Sequence, residues 1–293
     1  MGFEGKKMKE YGGDMLRKML RDADENKYAI PMFDYSDLWD QMAILEAAQE
    51  LKAPVMFASL PIGVNEIGLE MLSAMGKVSM KNSTVPAIHH LDHAVDVHMC
   101  CQAIDWGYPS VMIDASKEEL GTNIQYTKAV VDYAHARGAV VEAEIGKIKG
   151  RGYEGDYTGD DFLVKVDDAV KLVTESGVDT LAIGIGTAHG FYEGKPEINF
   201  ERLAEVNEAL DIPLVLHGGT GIPEEDVRRA IRAGINKVNV GTQIRCTYMD
   251  TVQKTVKRMG YTTHTIEIMQ EARKAIKEVA KTWIRICMAD GKA

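Results

Sequence analysis

The sequence contains no long run of apolar residues, and its start, MGFEGKKMKEYGG, is polar. A membrane-spanning helix needs about 20 apolar residues in a row, and a signal peptide needs an apolar core. The chain has four cysteines among 293 residues, without a CxxC pair or a zinc-finger spacing. These absences predict a cytoplasmic protein with reduced thiols and without a membrane partner.

The sequence has fewer basic than acidic residues, 34 Lys and Arg against 44 Asp and Glu, so the formal net charge is −10 at pH 7. Nucleic acids and anionic membranes bind to basic surfaces, so neither is expected as the main partner. An anionic metabolite would need local help from a metal ion, from helix N-termini or from backbone amides.

The chain has no Pro-, Gly- or Ser-rich linker and no abrupt change of composition, which predicts a single domain spanning residues 1–293. What recurs is an alternation of short, β-rich apolar runs with longer amphipathic stretches. Apolar runs of this kind are typical of parallel strands that are buried on both faces.

The alternation predicts an α/β fold, a (β/α)8 TIM barrel with an extra N-terminal helix near 13–24 and a long C-terminal helix near 266–288. An open doubly wound sheet is the main alternative, but it seldom needs so many βα units, and no GxGxxG motif follows the first run. The predicted strands are 28–34, 54–59, 87–92, 110–114, 140–146, 180–186, 214–219 and 237–242, and the helical patterns include 37–51, 123–137, 167–176, 201–210 and 224–233.

A polar residue closes or directly follows each apolar run. In a TIM barrel the carboxyl ends of all strands lie at one face, where active sites are found. Glu144 and His217 lie inside apolar runs, where the polar residues of an ordinary solvent-exposed rim are not expected. A functional site therefore explains their presence better. The closing residues are Asp34, Ser59, Asp92 with His93, Asp114, Glu144, His189, His217, and Asn239 with Thr242.

Three of these closing residues, His93, His189 and His217, predict a metal site. Three imidazoles with one open position form a catalytic rather than a structural zinc site, and neutral imidazole suits Zn²⁺ better than harder cations. Each histidine alone is more simply explained as a hydrogen-bonded rim residue. Asp114 and Glu144 would add negative charge, either around a second divalent cation or as outer partners that orient the histidines.

Asp92 immediately precedes His93, and a carboxylate beside a metal-bound oxygen is suited to proton transfer.

Two glycine-rich segments, HGGTG at 217–221 and NVGT at 239–242, close the last two predicted strands. TIM barrels often bind phosphate there through backbone amides. The predicted phosphate contacts in these segments are Gly218, Gly219, Thr220, Gly241 and Thr242.

The polar residues lie within longer motifs: HLDH at 90–93, SVMIDAS at 110–116, VEAEIG at 141–146, GTAHGFY at 186–192, PLVLHGGTGIP at 213–223 and KVNVGT at 237–242. In this order and spacing, they resemble the class II fructose-bisphosphate and tagatose-bisphosphate aldolase family from about residue 28 to 242, and more weakly to the C-terminus. SVMIDAS, GTAHG and the non-acidic Gly241 are more similar to the tagatose-bisphosphate branch.

The resemblance implies reversible cleavage of a ketose 1-phosphate or 1,6-bisphosphate to dihydroxyacetone phosphate and an aldehyde. One zinc ion on His93, His189 and His217 would act as a Lewis acid towards the enediolate. Asp92 would exchange a proton with the aldehyde-derived hydroxyl, and Asn239 would contact the enediolate. The resemblance also implies a homodimer or homotetramer, a monovalent-cation response, and phosphate binding by Gly190, Gly218, Thr220 and Thr242.

Three positions depart from the family pattern. The loop after the fifth strand lacks the usual G-G-x-E-D, so Glu154 is the nearest candidate for carbon-acid proton transfer. The family's F-N after the first strand is Phe33–Asp34, which places a carboxylate, not an amide donor, at this substrate position. The D-P-R motif before the last helix is absent from 261–267. The acceptor aldehyde is therefore expected to be unphosphorylated.

Two alternatives of other classes remain open at this stage. A non-catalytic barrel that binds sugar phosphate, or an accessory subunit of an aldolase, would not need three metal-ligating histidines together with Asp92. A metal-dependent epimerase would share the zinc and phosphate sites, but it should not reproduce the whole ordered series of motifs.

Overall fold

A computed structural model describes residues 12–148, 162–192, 194 and 196–293. Eight parallel strands follow one another around a closed barrel, and β8 pairs with β1. The predicted (β/α)8 barrel is thereby confirmed. The strands are β1 (Ile30–Asp34), β2 (Val55–Ser59), β3 (Ala87–Ala94), β4 (Ser110–Ile113), β5 (Val140–Ile145), β6 (Thr180–Ile183), β7 (Leu214–Leu216) and β8 (Ile235–Val240).

Helices cover the outside of the barrel. Both the extra N-terminal helix and the long C-terminal helix are present, as predicted. In the described part of the chain the helices are α1 (Gly13–Glu25), α2 (Leu38–Leu51), α3 (Pro61–Ile67), α4 (Leu69–Asn82), α5 (Val97–Asp105), α6 (Leu120–His135), α7 (Val166–Ser176), α8 (Phe200–Ala209), α9 (Glu224–Arg232), α10 (Thr242–Met259) and α11 (Thr265–Ile286). No described helix has both the length and the apolar character that a membrane span requires.

The strand ends depart from the sequence prediction where the chain turns over the mouth of the barrel. β6 ends at Ile183 and β7 at Leu216, each three residues before the apolar run ends. The following backbone enters turns, and Gly218 adopts a φ of 67°. A Cβ at this glycine would lie 2.4 Å from the carbonyl oxygen of Ala188. The sequence of an apolar run does not reveal this close approach between two loops.

The end of the barrel opposite the mouth is closed by α1. Gly13 N donates to Gly138 O at 3.1 Å. Arg17 Nη2 donates to the carboxylate of Asp179 at 3.0 Å and to the carbonyl of Ala139 at 3.2 Å. These contacts anchor the helix at the amino-terminal ends of the strands, so the polar ends at the opposite mouth stay accessible.

Candidate active site

A β-bulge in β3 brings two adjacent residues into the mouth. The register against β4 shifts between Leu91 and Ala94, and His93 has a φ of 52°. Successive residues of a regular strand point to opposite faces, whereas a bulge redirects one of them. Asp92 Oδ2 consequently lies 3.7 Å from His93 Nε2. Positive φ is uncommon outside glycine, although histidine is among the residues that adopt it more often.

The rings of His93, His189 and His217 converge at this mouth. Their centroids are 4.9 Å apart for His93 and His189, 4.7 Å for His93 and His217, and 6.0 Å for His189 and His217. His93 Nε2 and His217 Nδ1 are 3.0 Å apart. One nitrogen from each of the three rings lies within 4.8 Å of the other two. A catalytic zinc site uses this set of donors.

In two of these rings, the nitrogen that faces away from the other histidines contacts a carboxylate. Asp114 Oδ2 lies 3.1 Å from His93 Nδ1, and Glu142 Oε1 lies 3.0 Å from His217 Nε2. Ser116 donates to Asp114 through its backbone N–H and its hydroxyl. Contacts of this kind fix the tautomer and orientation of a metal-ligating imidazole.

Asp92 and Asn239 form a second polar pair beside the histidines. Asn239 Nδ2 donates to Asp92 Oδ2 at 3.1 Å, and His90 Nε2 lies 3.5 Å from Asp92 Oδ1. Asn239 Oδ1 is buried without a hydrogen-bond partner in the described part of the protein. A buried acceptor without a partner is costly unless a ligand supplies the donor.

The electrostatics of the mouth favour a cation. Burial would raise the pKa of Asp92, but the charge of His93 and nearby His90 hold it well below its usual value. Burial opposes charge on His93, but Asp92 and Asp114 still raise its pKa. Burial and the neighbouring histidines lower the pKa of His189, which favours the neutral imidazole that metals bind.

Glu144 lies on the same side of the barrel as these groups. Its Oε2 is 3.8 Å from His217 Nδ1. Burial, with a further contribution from the charge of Asp114, raises the pKa of Glu144 well above its usual value. His93, Asp114 and Glu144 also offer ligand atoms within 4.8 Å of one another. Glu144 therefore lies beside the nitrogen of His217 that faces His93, and its raised pKa favours the neutral acid until a cation binds there.

Glycines make up much of the other side of the mouth. Tyr192 fixes their position, because its hydroxyl accepts from Ala188 N at 2.9 Å and donates to Gly218 O at 3.0 Å. On the adjoining segment, Gln243 N donates to Thr220 Oγ1 at 3.2 Å. The pocket here is lined by Asp34, Asp92, His93, His189, Gly190, Gly218, Gly219, Thr220, Asn239, Gly241 and Thr242.

Three further residues that the sequence suggested lie in different surroundings. Ser59 is not among the residues that line this pocket; its hydroxyl is buried and lies 3.0 Å from the hydroxyl of Tyr108. Asp34 does line the pocket, at the end of β1, the strand that pairs with β8. Glu154 lies outside the described residues.

Sequence reasoning missed Tyr192, Glu142 and Lys237. Lys237 Nζ donates to Glu142 Oε1 at 2.9 Å and to Oε2 at 2.7 Å, and both side chains are buried inside the barrel. The sequence does carry a signal for the last two. Each is a charged residue inside an apolar run: Glu142 lies two positions before Glu144, and Lys237 lies two positions before Asn239. Residues two apart on a strand share a face.

Comparison with known proteins agrees with this geometry. The sequence profile of the family described as "Fructose-bisphosphate aldolase class-II" matches residues 14–292. A fructose-bisphosphate aldolase of Staphylococcus epidermidis is 38% identical over 279 residues, covering 92% of this chain and 95% of the relative.

Solved structures give the same result. The YdjI aldolase of Escherichia coli K12 superposes with a TM-score of 0.84 at 32% identity, covering 95% of this chain and 98% of the other. A putative fructose-1,6-bisphosphate aldolase of Coccidioides immitis superposes with a TM-score of 0.86 at 27% identity, covering 94% and 96%. The chain therefore belongs to the class II fructose-bisphosphate aldolase family and is an enzyme of the lyase class.

Proposed function

We propose that this aldolase reversibly cleaves a ketose 1-phosphate or ketose 1,6-bisphosphate of the fructose or tagatose type, through an enediolate, to dihydroxyacetone phosphate and an aldehyde. The observation that carries the proposal is the convergence of His93, His189 and His217 beside the Asp92–Asn239 pair. A sugar-phosphate-binding barrel without catalytic function would not need both groups at the same mouth.

Zinc is the metal that we assign to the three histidines. The donor set fits it, because three neutral imidazoles leave one position open for substrate. When bound, zinc supplies Lewis-acid stabilisation of negative charge on the ketone half of the substrate. We assign Asp114 to the outer role of orienting His93, since it contacts the ring nitrogen that faces away from the other histidines. Glu144 remains the candidate for a second divalent or a monovalent cation.

Asp92 is our candidate for the proton transfer at the aldehyde-derived hydroxyl. Its low pKa leaves it ionised at neutral pH, so in the cleavage direction it can accept the hydroxyl proton. Asn239 holds the carboxylate by donating to Oδ2, and its own buried Oδ1 is available to a substrate hydroxyl. Glu154 is our candidate for the carbon-acid proton on the ketone half.

The phosphate of the ketone half is assigned to the glycine-rich side of the pocket. Gly190, Gly218 and Gly219 allow the backbone to approach an anion closely, and Thr220 and Thr242 add hydroxyl groups. Gly241 and Thr242 also lie at the start of α10, and the N-terminus of a helix favours negative charge.

The acceptor side leads us to propose a neutral or carboxylate-bearing aldehyde rather than a phosphorylated one. A Cβ at Gly241 would lie 2.2 Å from Asp34 Oδ2, so the glycine is what gives the Asp34 carboxylate its room. A distal phosphate carries close to two negative charges near pH 7, and a carboxylate in a partly desolvated pocket repels it. The missing D-P-R motif removes a cationic contact that would offset this repulsion.

The decisive experiment is a cleavage screen that measures release of dihydroxyacetone phosphate. Fructose and tagatose 1,6-bisphosphates and the matching 1-phosphates would be compared with and without EDTA. We expect EDTA-sensitive cleavage with a higher kcat/KM for a 1-phosphate. EDTA-sensitive cleavage with a strong preference for bisphosphates would refute the acceptor proposal alone, whereas no cleavage of any ketose phosphate would refute the proposed reaction.

We also propose a homodimer or homotetramer, as the family resemblance implies, and a cytoplasmic location. Light scattering on the purified protein would decide the oligomeric state.

A further inference from the structure

A fully buried ion pair lies inside the barrel below the three histidines. Lys237 of β8 and Glu142 of β5 are 0% and 2% exposed, and the lysine ammonium contacts both carboxylate oxygens. Replacing such a pair by apolar residues of similar volume is often neutral or stabilising, because taking two charges out of water is costly. The stability of the barrel therefore does not by itself explain this pair.

The carboxylate of this pair also contacts a metal-site histidine. Glu142 Oε1 lies 3.0 Å from His217 Nε2, and Asn239 Nδ2, which donates to Asp92, lies 3.1 Å from the same nitrogen. An ionised carboxylate only accepts hydrogen bonds, so we assign the proton of His217 to Nε2 and the lone pair to Nδ1. Nδ1 is the nitrogen that faces His93 Nε2 at 3.0 Å. The Glu142 contact thus determines which nitrogen of His217 is directed to the site.

His93 directs its Nε2, and not its Nδ1, towards the other histidines. Its Nδ1 contacts Asp114, which leaves Nε2 directed towards His217. One ring therefore offers Nδ1 and the other Nε2 to the same point, and each selection is made by a different carboxylate. Asp114 lies at the end of β4 and is held by Ser116. Glu142 lies deeper in the barrel, and Lys237 donates to its carboxylate. Lys237 therefore holds Glu142 in place as Ser116 holds Asp114.

We propose that Lys237 and Glu142 form a positioning pair for the metal site. Glu142 fixes the tautomer and rotation of His217, and Lys237 holds the Glu142 carboxylate by both oxygens. The inference rests on the proposed zinc site. His90, Asp92 and Glu142 also offer ligand atoms within 4.8 Å of one another. Because the ammonium of Lys237 already neutralises Glu142, we assign no second metal to this deeper group.

The test compares Glu142→Gln, Lys237→Met and the double variant. Each protein would be stripped of metal and titrated with Zn²⁺ against a chromophoric chelator. We expect Glu142→Gln to weaken Zn²⁺ binding about 10- to 100-fold, as loss of an outer partner of a ligating histidine does. Lys237→Met should also weaken Zn²⁺ binding and lower the unfolding temperature, because it leaves a buried carboxylate without its counter-charge.

The double variant separates positioning from stability. It has no uncompensated charge, so its unfolding temperature should return towards that of the unmodified protein while its Zn²⁺ affinity stays reduced. Nitrogen-15 NMR of labelled histidine should show the Nε2–H form of His217 in the unmodified protein and a mixture of tautomers in the variants.

Arg17→Met is the matched control, because it breaks the Arg17–Asp179 ion pair at the opposite end of the barrel. It should lower stability without changing Zn²⁺ affinity. Native Zn²⁺ affinity and an unchanged His217 tautomer in the double variant would overturn the inference. Failure of the unmodified protein to bind Zn²⁺ would instead refute the proposed zinc site, and the tautomer measurement, which needs no metal, would still decide the role of Glu142.

Discussion

The two halves of the barrel mouth are built in different ways. The histidine half, made of His93, His189 and His217, is supported by buried carboxylates that contact ring nitrogens at 3.0 and 3.1 Å. The glycine half, made of the glycines and threonines that line the pocket, is shaped by backbone turns and by the hydroxyl of Tyr192. The family's motifs are complete in the first half, whereas Asp34, at the margin of the second, stands where the family's F-N motif has an asparagine.

The difference indicates which part of the chemistry is fixed and which part is adjustable. A metal site needs donors at defined positions, and the carboxylates behind the rings hold them there. The acceptor side only has to match the charge and shape of an aldehyde. In our proposal, the carboxylate at 34, which has room because residue 241 is glycine, changes that match without disturbing the metal site.

Removal of the metal is expected to have the largest effect. Chelation of the purified enzyme should reduce aldol cleavage by on the order of 10³-fold or more, because Lewis-acid stabilisation contributes several kcal/mol to the transition state. Activity would be followed before and after readdition of Zn²⁺, with the metal content verified. Full activity of a metal-free protein, or a lysine Schiff base trapped by borohydride, would contradict the assignment of the histidine half.

Asp92→Ala should separate catalysis from metal binding within the histidine half. We expect a loss on the order of 10²-fold or more in kcat, as for removal of a positioned general acid or base. Zinc content should stay near one ion per chain. His217→Ala is the comparison variant and should lose metal affinity. Normal turnover of zinc-loaded Asp92→Ala would show that another group transfers this proton.

Glu154→Gln tests whether a residue of the segment that follows β5 in the sequence transfers the proton on the ketone half. We expect tritium exchange at dihydroxyacetone phosphate to slow by about 10-fold or more, because general acid–base catalysis commonly contributes at least this much. Zinc affinity should not change. Unchanged exchange would remove Glu154 from the mechanism and direct attention to Asp156 or Tyr153.

Asp34→Asn tests the acceptor side without changing any of the residues assigned to the metal. Removing one negative charge from a partly desolvated pocket should raise kcat/KM for a 1,6-bisphosphate by roughly 10-fold, which corresponds to about 1.4 kcal/mol. The matching 1-phosphate is the control substrate; because Asp34 also lies beside Gly241 on the ketone-phosphate side, its kcat/KM should rise, but less than that of the bisphosphate. If the unmodified enzyme already prefers bisphosphates strongly, the contrast between the two halves disappears.

Ser59→Ala should have the smallest effect on activity. Because the Ser59 hydroxyl contacts Tyr108 and does not line the pocket, we expect KM for the ketose phosphate to be unchanged. The free energy of unfolding should fall by about 1 kcal/mol, the usual contribution of one hydrogen bond. A large increase in KM with unchanged stability would return Ser59 to the substrate site.

The amino-acid sequence by itself determined the barrel and most of the mouth. Buried parallel strands need apolar residues on both faces, so each strand is visible as an apolar run, and the polar residue that ends it marks the active face. In this way the ends of the runs predict that His93, His189, His217, Asp92 and Asn239 meet at one mouth, as they do in the structure.

Only the tertiary structure decided what lies behind and between these residues. The Lys237–Glu142 pair joins strands 95 positions apart, and its contact with His217 depends on barrel closure. Ser59 closes an apolar run in the same way as Asp34, yet its hydroxyl is turned to Tyr108. A one-dimensional pattern places a side chain at a strand end, whereas its direction and partner depend on strands and helices that are distant in sequence.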